Sequence, residues 1–145
     1  MANPKVPALA GVMSPFPYSI APEATLREAR EMMVEHDIHH LPVTDEEGAI
    51  RGVISDGDIF VAGNLAPGGG ADTPVKAVYS PEPYVVDIHE RLDDVVRTMA
   101  ERRIGSVIVS RDGRLAGILT HTDVCRAFAE LVGALSPPPS DGNAA

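Results

Sequence analysis

Two short runs hold the residue types best suited to chemistry: Ser55-Asp56-Gly57-Asp58 and Thr120-His121-Thr122-Asp123. In each, a hydroxyl is followed three positions later by a carboxylate. That spacing marks a helix start. The hydroxyl accepts from an N–H of the first turn, and the acid complements the positive end of the helix dipole. The same pair has a second use. A carboxylate can accept two hydrogen bonds from the vicinal diol of a ribose, while the helix N-terminus beside it offers N–H groups to an anion. The capping role needs no ligand, and a binding role would be added to it.

The other candidates are histidines. His39 and His40 are adjacent on a predicted strand and should point to opposite faces, one toward a cleft and one toward solvent. With His36 they form an H-x-x-H-H run. His36 sits near a helix end, however, and no Cys or nearby carboxylate completes a ligand set, so no metal is expected. The lone Cys125 reads as helix packing, and one cysteine excludes an intrachain disulfide. A reducing cytoplasm is the expected compartment. Arg111, Arg114 and Arg126 read as solvated. The chain has no Walker A loop, no Gly-x-Ser-x-Gly elbow and no zinc spacing, so no catalysis is expected.

Composition narrows the classes further. Of 145 residues, 44% are apolar and 23% charged, which fits a folded domain. Aromatics are 4% and Trp is absent, so the core must be aliphatic. A net charge of −9 repels a phosphate backbone, and DNA or RNA is not an expected partner. No run approaches the roughly 18 to 20 apolar residues of a membrane span, and the N-terminus does not read as a signal peptide. Val6, Leu9 and Val12 could form an apolar turn against the domain. The Pro-rich segment 136–145 is predicted to be disordered.

The elements that position these residues occur twice. Displaced onto itself, the chain matches Val12-Met13-Ser14-Pro15 to Val78-Tyr79-Ser80-Pro81, Leu26 to Leu92, Met33 to Met99, and Ile38 to Ile104. After one extra residue in a turn, Gly52 meets Gly117 and Asp58 meets Asp123. Such register is the mark of duplication. Each half opens with a short extended piece, Tyr18–Ile20 or Tyr84–Val86. An amphipathic helix follows, with Leu26, Ala29 and Met33 on one stripe and Leu92, Val95, Val96 and Met99 on the other. Thr25 and Glu28 form a capping box. Two strands come next, Leu41–Thr44 with Ile50–Ile54, and Ser106–Ser110 with Leu115–Leu119, each joined by a Gly-containing turn. Pro42 implies an edge or a bulge. A second helix closes each half, Asp56–Ala62 or His121–Leu131, and Gly63–Pro74 reads as a linker. Each β-α-β-β-α unit is too small to bury a sufficient core alone, and two packed sheet against sheet are expected to share one.

With these features in place, the halves resemble the CBS (cystathionine-β-synthase) domain. The match rests on the strand Ile38-His39-His40-Leu41-Pro42-Val43 and on a signature found in register twice: Gly52-Val53-Ile54-Ser55-Asp56-Gly57-Asp58-Ile59 and Gly117-Ile118-Leu119-Thr120-His121-Thr122-Asp123-Val124. It covers about residues 12–132. The resemblance implies an α/β fold in which two β-α-β-β-α CBS repeats pack with pseudo-twofold symmetry into one Bateman module. Repeat 1 would span 12–65, a linker 66–74, repeat 2 75–132, and a disordered tail 136–145.

The resemblance also implies an adenine nucleotide, AMP, ADP or ATP, as a sensed ligand rather than a cofactor, with S-adenosylmethionine as another candidate. Ser55, Asp58, Thr120 and Asp123 would hold ribose or phosphate. Ile20, Ile38 and Pro42 in one half, and Val86, Ile104 and Ile108 in the other, would form the adenine slots. His39 and His40 would meet phosphates. Gly105 and Ser106 break that pattern in the second half, where Arg103 beside Arg102 would substitute, so the two sites should be unequal. A homodimer and an effector protein acting in trans are the implied partners. A ligand-free interaction scaffold is the alternative.

Overall fold

The computed structural model describes residues 6–15, 17–65 and 70–136. Positions 66–69 of the expected linker and 137–145 of the expected tail lie outside them. The chain opens with helix α1 (Leu9–Val12) and strand β1 (Ser14–Pro15). The first half continues as α2 (Leu26–His36), β2 (His40–Thr44), β3 (Ile50–Ser55) and α3 (Asp56–Leu65). A 3-10 turn, Val75–Ala77, leads to β4 (Val85–Asp87), α4 (Leu92–Arg102), β5 (Ser106–Arg111), β6 (Arg114–Thr120) and α5 (His121–Leu135).

Helix α2 starts at the predicted capping box. Glu28 N donates to Thr25 Oγ1 at 3.2 Å and Thr25 N donates to the Glu28 carboxylate at 3.0 Å. Its stripe of Leu26, Ala29 and Met33 is buried, as are Val95 and Met99 on α4. Both helices stop the same way. Asp37 (φ 51°) and Arg103 (φ 54°) are left-handed, and the next amides, Ile38 N and Ile104 N, donate back to Met33 O and Met99 O at 3.0 and 3.1 Å. This cap reverses the chain and delivers Ile38–His40 and Ile104–Ser106 to matching places beside the sheets.

The second half forms a four-stranded sheet in the order β1-β6-β5-β4, with β4 parallel to β5 and the other pairs antiparallel. The first half holds β2 and β3, with Ile20 bridging Val43 and Ser80 bridging Val53 where its counterpart has full strands. Ladder register shifts at Val43/Thr44, just beyond Pro42. In both sheets the outer place beside the motif strand belongs to the other half's lead-in. Ser14–Pro15 lies on Ile118–Gly117, and Ser80 exchanges two hydrogen bonds with Val53, at 3.0 and 3.2 Å.

That crossing explains the glycine that opens each motif. A Cβ on Gly52 would overlap the Ser80 carbonyl oxygen and the Tyr79 ring. On Gly117 it would stand 2.9 Å from Ser14 O and press into the Met13 sulfur. Both sites need backbone at close range.

Two cores result, not the single shared core expected. One gathers Val95, Met99, Val107, Val109 and Leu119 around Leu9 and Met13. The other gathers Leu26, Ala29, Met33, Leu41, Val43 and Ile54 around Val75, with Val78 and Tyr79 against it. Each half's sheet is thus capped by apolar residues that precede the other half. Of the expected N-terminal apolar turn, Leu9 is buried, Val12 half-buried and Val6 exposed. Helix α3 runs through Leu65, so residues 63–65 are its last turn and not linker, and α5 runs through Leu135, past the expected end. Cys125 is exposed on α5 and does not pack. Among the described residues no helix is long and apolar enough to cross a membrane.

Candidate functional site

Each motif sits where a central strand meets the helix that follows it. At the end of β3, Ser55 N donates to Asp58 Oδ2 at 2.9 Å and Asp58 N donates to Ser55 Oγ at 3.1 Å. At the end of β6, Thr120 N and Thr120 Oγ1 donate to Asp123 Oδ2 at 2.9 and 3.0 Å, and Asp123 N donates to Thr120 Oγ1 at 3.4 Å. Both pairs are therefore helix caps. Asp123 is nonetheless unusual, being a carboxylate only 6% exposed. Its Oδ2 is committed to the cap. Its Oδ1 has two long contacts, Ser14 Oγ at 3.4 Å and the Arg126 guanidinium at 3.5 Å. That oxygen keeps capacity for a further donor.

Asp123 lines a cleft of about 530 Å³ between the halves. Part of its lining is apolar: Pro15, Pro17, Tyr18, Ile38 and Ile118. The polar lining comes from both halves: Thr120, His121, Asp123 and Arg126 from the second, His39 and His40 from the first. The size and the mixed lining suit a small molecule with an apolar ring and a polar tail. A wider groove of about 820 Å³ between α2 and α3 contains neither Ser/Thr-x-x-Asp pair.

The cleft is lined from both halves. Thr120 and Asp123 face Ile38, His39 and His40. Four of the adenine-slot candidates are interior: Ile20 is 5% exposed, Val86 6%, Ile108 1%, and Pro42 is fully buried. Ile104 is half-buried against the second core, and Arg103 is the exposed left-handed cap of α4. Ser55 and Asp58 lie outside this cleft.

The two adjacent histidines divide only in part, the His39 side chain being 67% exposed and His40 half-buried. His39 precedes β2, so strand alternation does not govern it, and both line the cleft. His39 Nδ1 lies 2.8 Å from Asp56 Oδ2. His40 is half-buried, and that burial lowers its pKa below the ordinary imidazole value. Asp56 and Asp58 oppose the shift, while His39 and His121 add to it. Among the described residues no group of three His, Cys, Asp or Glu is placed to hold a metal ion.

Three features escaped the sequence reading. Arg126 is solvated as read, its side chain 65% exposed, but its guanidinium also lies 3.5 Å from Asp123 one helical turn away, a pairing its i, i+3 spacing could have suggested. His121 occupies a variable place inside the motif and carries no spacing signal. Tyr18 stacks on His36, with ring centroids 3.6 Å apart and planes 11° from parallel. The repeat places Tyr84 and Arg102 at the equivalent positions, where the guanidinium lies 5.1 Å from the ring centroid.

Comparison with known proteins agrees with this geometry. The family model of the CBS domain matches residues 9–64 and again 75–130. Hypoxic response protein 1 of Mycobacterium tuberculosis is 32% identical over 107 residues, covering 73% of this chain and 74% of that protein. A solved structure of CBSX2 in complex with AMP superposes with a TM-score of 0.73 at 26% identity, covering 86% of this chain and 98% of that one. The CBS domain pair of protein MJ0100, in complex with 5′-methylthioadenosine and S-adenosyl-L-methionine, superposes with a TM-score of 0.79 at 25% identity, covering 88% and 99%. From its doubled motif, its paired sheets and these matches, the chain belongs to the CBS-domain family and carries two CBS domains in tandem.

Proposed function

We propose that the protein is a regulatory sensor of adenosine-containing ligands, of the AMP, ADP or ATP class, and performs no chemistry on them. The observation that carries this reading is the spare oxygen of the buried Asp123 carboxylate, in a cleft with both apolar and polar lining. A ribose diol would replace the two long contacts at Asp123 Oδ1, the adenine would lie along the Tyr18–Ile38–Ile118 side, and phosphate would face the imidazoles. Ser55 and Asp58, with Arg103 and Ile104, are the counterpart set for a second, weaker site. The AMP of CBSX2 and the adenosine compounds of the MJ0100 pair support the ligand class.

Signalling in trans would use a dimer in the cytoplasm. Exposed apolar side chains on α3 (Phe60, Val61, Leu65) and α5 (Phe128, Val132, Leu135) favour a second copy as the first partner. Ligand binding would bias the arrangement of the copies, which an effector protein reads.

Calorimetric titration with AMP, ADP, ATP and S-adenosylmethionine tests the proposal. Asp123→Ala is expected to lose the tighter component, at least about tenfold in affinity, since its charge-assisted hydrogen bonds go together. Asp58→Ala is expected to remove a weaker one. No heat with any ligand, from folded and nucleotide-free protein, would establish the interaction-scaffold alternative instead.

A further inference from the structure

The chain has five histidines, and His39, His40 and His121 all line the Thr120–Asp123 cleft. A fourth, His36, stacks on Tyr18 at its rim. The repeat gives none of these an imidazole counterpart: Arg102, Gly105, Ser106 and Asp56 occupy the equivalent places. The permanently charged groups of the cleft are Asp37, Asp123 and Arg126. Asp56 and Asp58 stand beside the imidazoles, so with neutral imidazoles the site is net negative, and protonating them offsets that charge.

Resting on the nucleotide reading, we infer that the Thr120–Asp123 cleft is a proton-linked site for a phosphorylated adenosine. Its imidazoles take up protons as the phosphate binds, and a sulfonium-bearing adenosine is disfavoured as pH falls.

The geometry brings imidazoles from both halves to one small volume. A Cβ at Gly105 would stand 3.6 Å from the His121 ring and 3.7 Å from His40 Nε2. Gly105 has no side chain there, and the two rings close around that space. His39 is held at the same edge by Asp56. The groups facing His40 are Asp56 and Asp58 from α3, His39 beside it and His121 from α5, with Asp123 and Arg126 further along the lining.

The direction of linkage follows. Burial holds His40 toward its neutral form in the free cleft. A phosphate dianion alongside raises its pKa, so binding consumes protons and tightens as pH falls between the two values. A sulfonium centre has the opposite effect. The counterpart set proposed around Ser55 and Asp58 would have Arg103 in place of an imidazole, and its charge does not vary in this range.

Titration of the full chain with AMP, 5′-methylthioadenosine and S-adenosylmethionine at pH 8.0 and 6.5 tests the inference. AMP stays largely doubly charged above its phosphate pKa of about 6. AMP at the component lost in Asp123→Ala is expected to bind about tenfold tighter at pH 6.5 than at pH 8.0. The uncharged 5′-methylthioadenosine should change little, and S-adenosylmethionine should weaken. His40→Gln and His121→Gln should each flatten the AMP slope. Should either variant fold poorly, AMP heats of the native protein in two buffers of different ionisation enthalpy report proton uptake directly. AMP binding that is independent of pH, without proton uptake, overturns this inference and leaves the nucleotide reading standing. No binding by any adenosine compound at either pH overturns both.

Discussion

Asp123 serves two purposes with its two oxygens. Oδ2 closes the cap of α5 with Thr120, and Oδ1 faces the cleft. The two purposes respond differently to substitution. Thr120→Ala removes the cap hydroxyl and is expected to cost about 1 kcal/mol of stability, while Thr120→Ser restores most of it, as read by denaturant unfolding. If the hydroxyl served the cap alone, ligand affinity would not follow the same order in the folded variants. The motif residues were legible at this scale because Ser/Thr-x-x-Asp is a local pattern with a local cause. His121 was not, since its importance comes from Gly105 and His40, which meet it only in the fold, whereas the Arg126–Asp123 pair has a local i, i+3 spacing.

At the scale of elements, the amphipathic stripes, the capping box at Thr25 and the two hairpins were all legible, because each follows from periodicity or turn chemistry within a few residues. The exchange of lead-ins was not. Nothing local says that Ser14 lies on Ile118 instead of beside its own half's strands. The glycines of the motifs were the available sign, and they have a testable meaning. Gly117→Ala forces a methyl against Ser14 O and Met13, and is expected to destabilise by about 1 to 3 kcal/mol. Gly11→Ala, in α1 with nothing within 4 Å of the added carbon, is expected to be neutral or to stabilise by up to about 1 kcal/mol. Thermal midpoints of the two variants, compared side by side, separate close approach from mere glycine content.

For the molecule as a whole, the expectation of one shared core failed for the same reason. Each core is completed by the segment that precedes the other repeat. Leu9→Ala should therefore cost about 2 to 5 kcal/mol and lower hydrogen-exchange protection chiefly in β5 and β6, far along the chain. Val75→Ala should act on β2 and β3 instead. The reverse pattern would mean that each repeat is stabilised by its own leader.

The same exchange bears on the order in which the protein is made. Ser14 reaches Asp123 across 109 positions of sequence, so this seam closes only when two distant parts of the chain meet. Until β5 and β6 are synthesised, Leu9 and Met13 have no core to enter, and β1 has no strand to pair with. Closure of this long loop is a late and entropically costly event. The cleft lies on that seam, with Ser14 and Pro15 on one side and Asp123 on the other. A small molecule bound there would tie these two distant segments together, acting as a clasp on the folded state.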